Sequence, residues 1–175
     1  FLQLLFQLAM EIKVVVLYFE VNPLLCASKV RCMAREFAVT AGLDHAKSAE
    51  FVRQHVRFVR WQPLQSHMVF LKRNMHAAIN GSFYLGHTGH SAALGANLPV
   101  ITFEGGSGDF SFPSWPGASM NRFAGLSALI VRDGSFQAKL KQVVNLVRQL
   151  VEDETLRNAG SAGLERQMRE RRAFF

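Results

Sequence analysis

The densest chemistry in this sequence lies in "FYLGHTGHSAALGANLPVITFEG", residues 83–105. Gly86, His87, Thr88, Gly89 and His90 stand together at the start of an alanine-rich stretch that reads as a short helix, from about Thr88 to Ala96. The first N–H groups of a helix have no intrahelical acceptor, and aligned peptide dipoles add roughly half a positive charge there. Gly86 and Gly89 let backbone approach a ligand closely, and the Thr88 hydroxyl can cap the helix or donate to that ligand. A phosphate or pyrophosphate meets those demands. By spacing alone two readings stand: an anion site at a helix N-terminus, or a capped helix with two surface histidines. Neither the dinucleotide glycine fingerprint nor a P-loop occurs.

The elements that must position this corner can be read in order. Leu2 to Ile12 has apolar residues at helical spacing, and "KVVVLYF", 13–19, fits a strand buried in a parallel sheet. A helix is predicted over 27–42 with Gly42 as its stop, and 43–54 is polar, helix or loop. "HVRFVRW", 55–61, alternates as a second strand, and "PLQSHMVFLKRN", 63–74, is a short helix with Pro63 near its first turn. "MHAAING", 75–81, is a weaker third strand, "PVITF", 99–103, another, and "SALIV", 127–131, a further one. Residues 104–117 form a Gly-, Ser-, Pro- and aromatic-rich loop, and 135–151 and 153–172 read as helices. Strands alternating with helices give a Rossmann-like, doubly wound parallel α/β sheet, with ligands bound beyond the carboxyl ends of the strands.

Composition narrows the classes. The chain has 175 residues, 49% hydrophobic and 19% charged, enough for one globular domain with a real core. It opens at Phe1 directly in a helical pattern, and so reads as a fragment of a longer protein. Gln3, Gln7, Glu11 and Lys13 interrupt the opening, which argues against a membrane span. Cys26 and Cys32 lie six apart, neither a zinc spacing nor a disulfide framework, and read as reduced thiols of a cytosolic or nuclear protein. The net charge of +7 suits an anionic ligand, although much of it sits in the tail "LERQMRERRAFF". That tail lacks the aromatic interleaving of a nucleic-acid module.

The segment "GHTGHSAALGANLPVITFEG" resembles the nucleotide-binding segment of the O-linked N-acetylglucosamine transferases (glycosyltransferase family 41), protein glycosyltransferases of GT-B fold. Their pattern is approximately N-G-H-T-T-G-x-D-x-L-W-A-G-x-P-V-V-T-x-P-G, matched here at Gly86, His87, Thr88, Leu94, Ala96, Pro99, Val100, Thr102 and Gly105. "VRFVRWQPLQSHMVFL" is similar to the family's strand, proline loop and histidine-bearing helix, and weaker similarities run along nearly the whole chain. The resemblance implies that residues 1–175 are a single carboxyl-terminal lobe of such an enzyme, with 135–175 a helical extension. It implies a UDP-GlcNAc co-substrate, Ser/Thr hydroxyls of proteins as acceptors, inverting transfer, no metal or other cofactor, and a cytoplasmic or nuclear location. The amino-terminal catalytic lobe, helical repeats and a phosphate-binding lysine motif would precede Phe1, and the catalytic base with them. Thr88 and the N–H groups near Gly89 would contact the diphosphate, His87 would shape the loop, and His67 would lie near the base or ribose. For His67 a helix-surface histidine is the other reading. No D-x-D offers a carboxylate pair to a divalent metal.

The sequence also departs from the pattern. Gly89 replaces a threonine, Ala92 the aspartate expected at the ribose, Gly95 the tryptophan, Asn97 a glycine and Leu64 a lysine. Each lost hydrogen bond to a charged group costs on the order of 1.5–3 kcal/mol. His90 as a donor, with Lys72 or Arg73, is a possible compensation; surface exposure is the plainer reading of all three. Two alternatives follow: a GT-B enzyme using another donor such as GDP-fucose, or a non-catalytic scaffold lobe.

Overall fold

The computed structural model describes residues 1–21, 26–60, 62–79, 93, 95, 96, 98–103, 129–132, 134–155 and 169. These residues belong to two compact units, Phe1–Gln62 and Pro63–Phe175. Every strand pair among them is parallel, so the architecture is α/β. No helix among the described residues is long and apolar enough to cross a membrane.

The first unit runs α1 (Leu2–Glu11), β1 (Leu17–Val21), α2 (Ala27–Thr40), α3 (His45–His55) and β2 (Val56–Arg60). β1 and β2 pair from Leu17–Val56 to Val21–Arg60. Their core centres on Phe6 of α1, whose ring lies 6.4 Å from Phe19 of β1 and 5.8 Å from Phe37 of α2. Val30, Ala34 and Ala38 make a fully buried stripe of small residues at four-residue spacing, which lets α2 pack closely. The strand expected at 13–19 starts later, at Leu17. The Val15 N–H bonds back to the Ile12 carbonyl, so residues 13 and 14 are spent on leaving α1. Val14, Val16 and Tyr18 are exposed while Leu17 and Phe19 are buried, so this segment is covered on one face, not both.

Gly42 ends α2 as its sequence predicts. At φ +93° it occupies the left-handed region; its N–H bonds to the Val39 carbonyl, and the Leu43 N–H reaches Ala38. Two residues on, the Asp44 carboxylate accepts from the Lys47 N–H at 2.8 Å and starts α3. The ambiguous stretch 43–54 is therefore mostly helix. Its buried positions are Ser48, Phe51 and His55, two of them polar, which erases the apolar period a helix normally shows. Both polar groups are satisfied: Ser48 Oγ donates to the His45 carbonyl, and His55 Nδ1 donates to the Val15 carbonyl at 2.7 Å. A carbonyl only accepts, so the proton sits on Nδ1. His55 closes α3 rather than opening β2, and the strand begins at the next residue.

The second unit contains α4 (Leu64–Asn74), β3 (Ala78–Ile79), β4 (Val100–Phe103), β5 (Ile130–Val131) and α5 (Phe136–Glu152). Its sheet order is β3-β4-β5, with Ala78 beside Val100 and Thr102 beside Ile130. β4 is the centre: Val100, Ile101 and Thr102 are essentially inaccessible, as a strand with helices on both faces requires. Ser135 caps α5 by accepting from the Ala138 N–H, and Leu140, Val143, Val144 and Leu150 form its buried stripe. The Gln142 amide docks the helix to the chain just past β5, accepting from the Arg132 N–H at 2.8 Å and donating to its carbonyl at 3.3 Å. The loop expected at 104–117 lies outside the described residues. Of the helix expected at 153–172, Asp153, Glu154, Thr155 and Arg169 are described; Asp153 is the non-helical cap that ends α5 and the other three are helical.

Candidate functional site

The three parallel strands of the second unit place their carboxyl ends on one side of its sheet. From that side residues 80–92 connect β3 to Ala93, and residues 104–128 connect β4 to Leu129. Such connections are where α/β sheets bind ligands. His87, Thr88, Gly89 and His90 belong to the first connection and lie outside the described residues, as does Ala92. Ala93 and Gly95 are helical, and the Leu98 N–H bonds back to the Ala93 carbonyl at 2.9 Å, the closure of an ending helix.

His67, on the second turn of α4, belongs to the same unit. Met68 and Leu71 of α4, with Met75 just past its end, pack on Ala93, Ala96, Leu98 and Val100. This cluster ties the histidine-bearing helix to the residues that immediately follow the 80–92 connection. His67 is half-buried, and its Nδ1 is shut off from solvent with no hydrogen-bond partner. Leaving a buried polar atom unpaired costs about 1–3 kcal/mol, which makes this nitrogen the polar atom of α4 that calls for an explanation. Nothing in the sequence signals that orphaned atom; it follows from how α4 docks.

The remaining candidates are placed plainly. Lys72 and Arg73 are exposed in the last turn of α4, where positive charge complements the helix dipole. Leu64, where the family has lysine, is also exposed. A Cβ added at Gly95 would stand 2.6 Å from the Met68 Cε, so the methionine tip fills the space in front of the position where the pattern has tryptophan. The thiols are free and exposed, with opposite biases. The Ser28 hydroxyl beside Cys26, followed by the Ser28 and Lys29 amides, lowers its thiol pKa; the Glu36 carboxylate raises that of Cys32. Among the described residues no group of three or more His, Cys, Asp or Glu could hold a metal ion.

The motif positions that are described, Ala96, Pro99, Val100 and Thr102, are all buried in the core of this unit. They are packing positions, at the end of the short helix and in β4.

No family model matches this chain, and no curated protein matches it. Among solved structures it is similar to a mutant O-GlcNAc transferase from Thermobaculum terrenum, with 18% sequence identity and a TM-score of 0.67. The match covers 94% of this chain and 28% of that one. At that identity the likeness is one of fold: a Rossmann-like α/β arrangement like part of that GT-B-type transferase.

Proposed function

We propose that the chain forms the donor-binding lobe of a glycosyltransferase that moves N-acetylglucosamine from UDP-GlcNAc to Ser or Thr hydroxyls of proteins. One observation carries this reading: the connection bearing His87 and Thr88 leaves the carboxyl end of a parallel strand, in a fold similar to part of an O-GlcNAc transferase. The Thr88 hydroxyl and the N–H groups near Gly89 bind the diphosphate, His87 shapes the loop and His90 adds a donor beside it. His67, with its unpaired Nδ1, meets the base or ribose.

The chemistry follows from where charge develops. As the bond between sugar and UDP breaks, negative charge grows on the outer phosphate. Donors already aimed at that charge stabilise the transition state more than the ground state. The base that takes the acceptor proton belongs to the other lobe of the full-length protein.

The test is calorimetric titration of UDP into the full-length protein. Saturable binding, abolished by Thr88→Leu, is the expected result; absence of any UDP affinity overturns the reading. Nucleotide release from UDP-GlcNAc and GDP-fucose then separates the two donor classes.

A further inference from the structure

Three arginines that no motif singles out line one groove of the first unit. The groove has a volume of about 510 Å³, with Arg31 from α2, Arg53 from α3 and Arg57 from β2 around a floor that includes Val52, Val56 and Phe58. The guanidiniums are held in different ways. Arg53 is neutralised by Glu50 one turn back, through contacts of 2.6 and 2.7 Å. Arg57 donates through Nη1 to the carbonyls of Arg53 and Val56, where the orphan carbonyls of α3 collect. Arg31 lies over the Phe58 ring, 4.7 Å from its centroid. Among the described residues neither Arg31 nor Arg57 has a carboxylate partner. Two positioned cations without a carboxylate partner among the described residues thus flank an apolar floor.

Backbone chemistry is also on offer. Among the described residues β2 has one neighbour in its sheet, β1. Successive side chains of a strand point to opposite faces, yet Val56, Arg57 and Phe58 all line the groove. The groove thus runs beside β2, whose side away from β1 has no strand partner among the described residues and so offers N–H and C=O groups that can take a further strand.

We propose that this groove binds an extended peptide segment carrying carboxylates, its backbone paired to the edge of β2 and its acids to Arg31 and Arg57. Guanidiniums pair carboxylates in two-pronged fashion without help from backbone amides. A phosphate site built on a helix N-terminus is not what this groove offers, since α3 presents its carbonyl end here. Single-stranded nucleic acid wants an open aromatic face, and the face of Phe58 is already covered by Arg31. This proposal does not depend on the donor-site reading.

The test uses the 175-residue chain and a fluorescein-labelled hexapeptide alternating valine and glutamate, followed by anisotropy. The controls are its valine–lysine counterpart, a backbone N-methylated version and labelled oligouridylate. The glutamate peptide should bind saturably and more weakly in high salt, while the lysine and N-methylated peptides do not bind. Arg31→Gln, which removes an exposed side chain that lies over the Phe58 ring, should weaken binding about tenfold. Arg57→Gln should weaken it similarly, with circular dichroism checking that α3 survives loss of its capping arginine. No saturable binding of the glutamate peptide, or unchanged affinity in Arg31→Gln, overturns the proposal. So does oligouridylate binding more tightly with the same dependence on Arg31, or equal binding of the N-methylated peptide.

Discussion

α3 and α4 have the same length, eleven residues, and each carries a histidine with an enclosed ring nitrogen, but they are built to opposite ends. α3 starts on the Asp44 cap, buries Ser48, Phe51 and His55, and satisfies both buried polar groups inside the protein. α4 starts on Pro63 with no side-chain cap, has no buried residue, and leaves His67 Nδ1 without a partner. A polar atom whose bond is made internally braces the fold. One whose bond is left open persists only because other contacts offset its cost.

That contrast can be broken by mutation. The largest effect is expected for His55→Ala, which strands the Val15 carbonyl and opens a void beside Phe51, whose ring lies 5.0 Å from His55. Urea unfolding should show a loss of about 3 kcal/mol. Gly95→Trp comes next, since the flexible tip of Met68 must move aside for it; a loss of about 1 kcal/mol is expected, partly recovered by adding Met68→Ala.

Asp44→Ala should cost less, and its effect should depend on pH. The Lys47 amide, then the Lys47 side chain, hold the Asp44 carboxyl below its ordinary value of 3.8. Folding thus lowers the pKa, so the cap contributes fully above 3.8 and is lost as pH falls through the lower, folded-state value. Wild-type and variant stabilities, measured by thermal melts from pH 7 downward, should converge in strong acid. A gap that persists there would mean the loss is not the cap.

The smallest stability effect is expected for His67→Leu, a change of less than about 1 kcal/mol in either direction, because no made hydrogen bond is lost. The same substitution should weaken UDP binding by the full-length protein about tenfold. A stability loss as large as that of His55→Ala would erase the distinction between the two helices.

What was legible in the sequence was whatever local rules decide. Gly42 marked the end of α2, Pro63 the start of α4, and the β-branched run at 99–103 marked the central strand β4, Val100–Phe103. Where polar residues are buried the same rules failed. Ser48 and His55 hid α3, because their satisfaction depends on partners that spacing does not reveal. "KVVVLYF" was over-read for a related reason: β-branched content shows strand propensity, not which of two faces is covered or where a turn consumes residues. For the candidate site the sequence carried the motif and the chemistry class it suggests, while His67's orphaned nitrogen and Met68's seat against Gly95 came from packing alone.

The sequence by itself determined the order of strands and helices, the parallel α/β class and the glycine- and histidine-bearing connection ahead of β4, since these rest on periodicity, breakers and residue type along the chain. Only tertiary structure decided which partner each polar group meets: His55 a backbone carbonyl, His67 Nδ1 none, Arg53 the Glu50 carboxylate, Arg57 the carbonyls at the end of α3. The reason is physical. A hydrogen bond or ion pair is made between groups that meet in space, and His55 meets a carbonyl forty residues away.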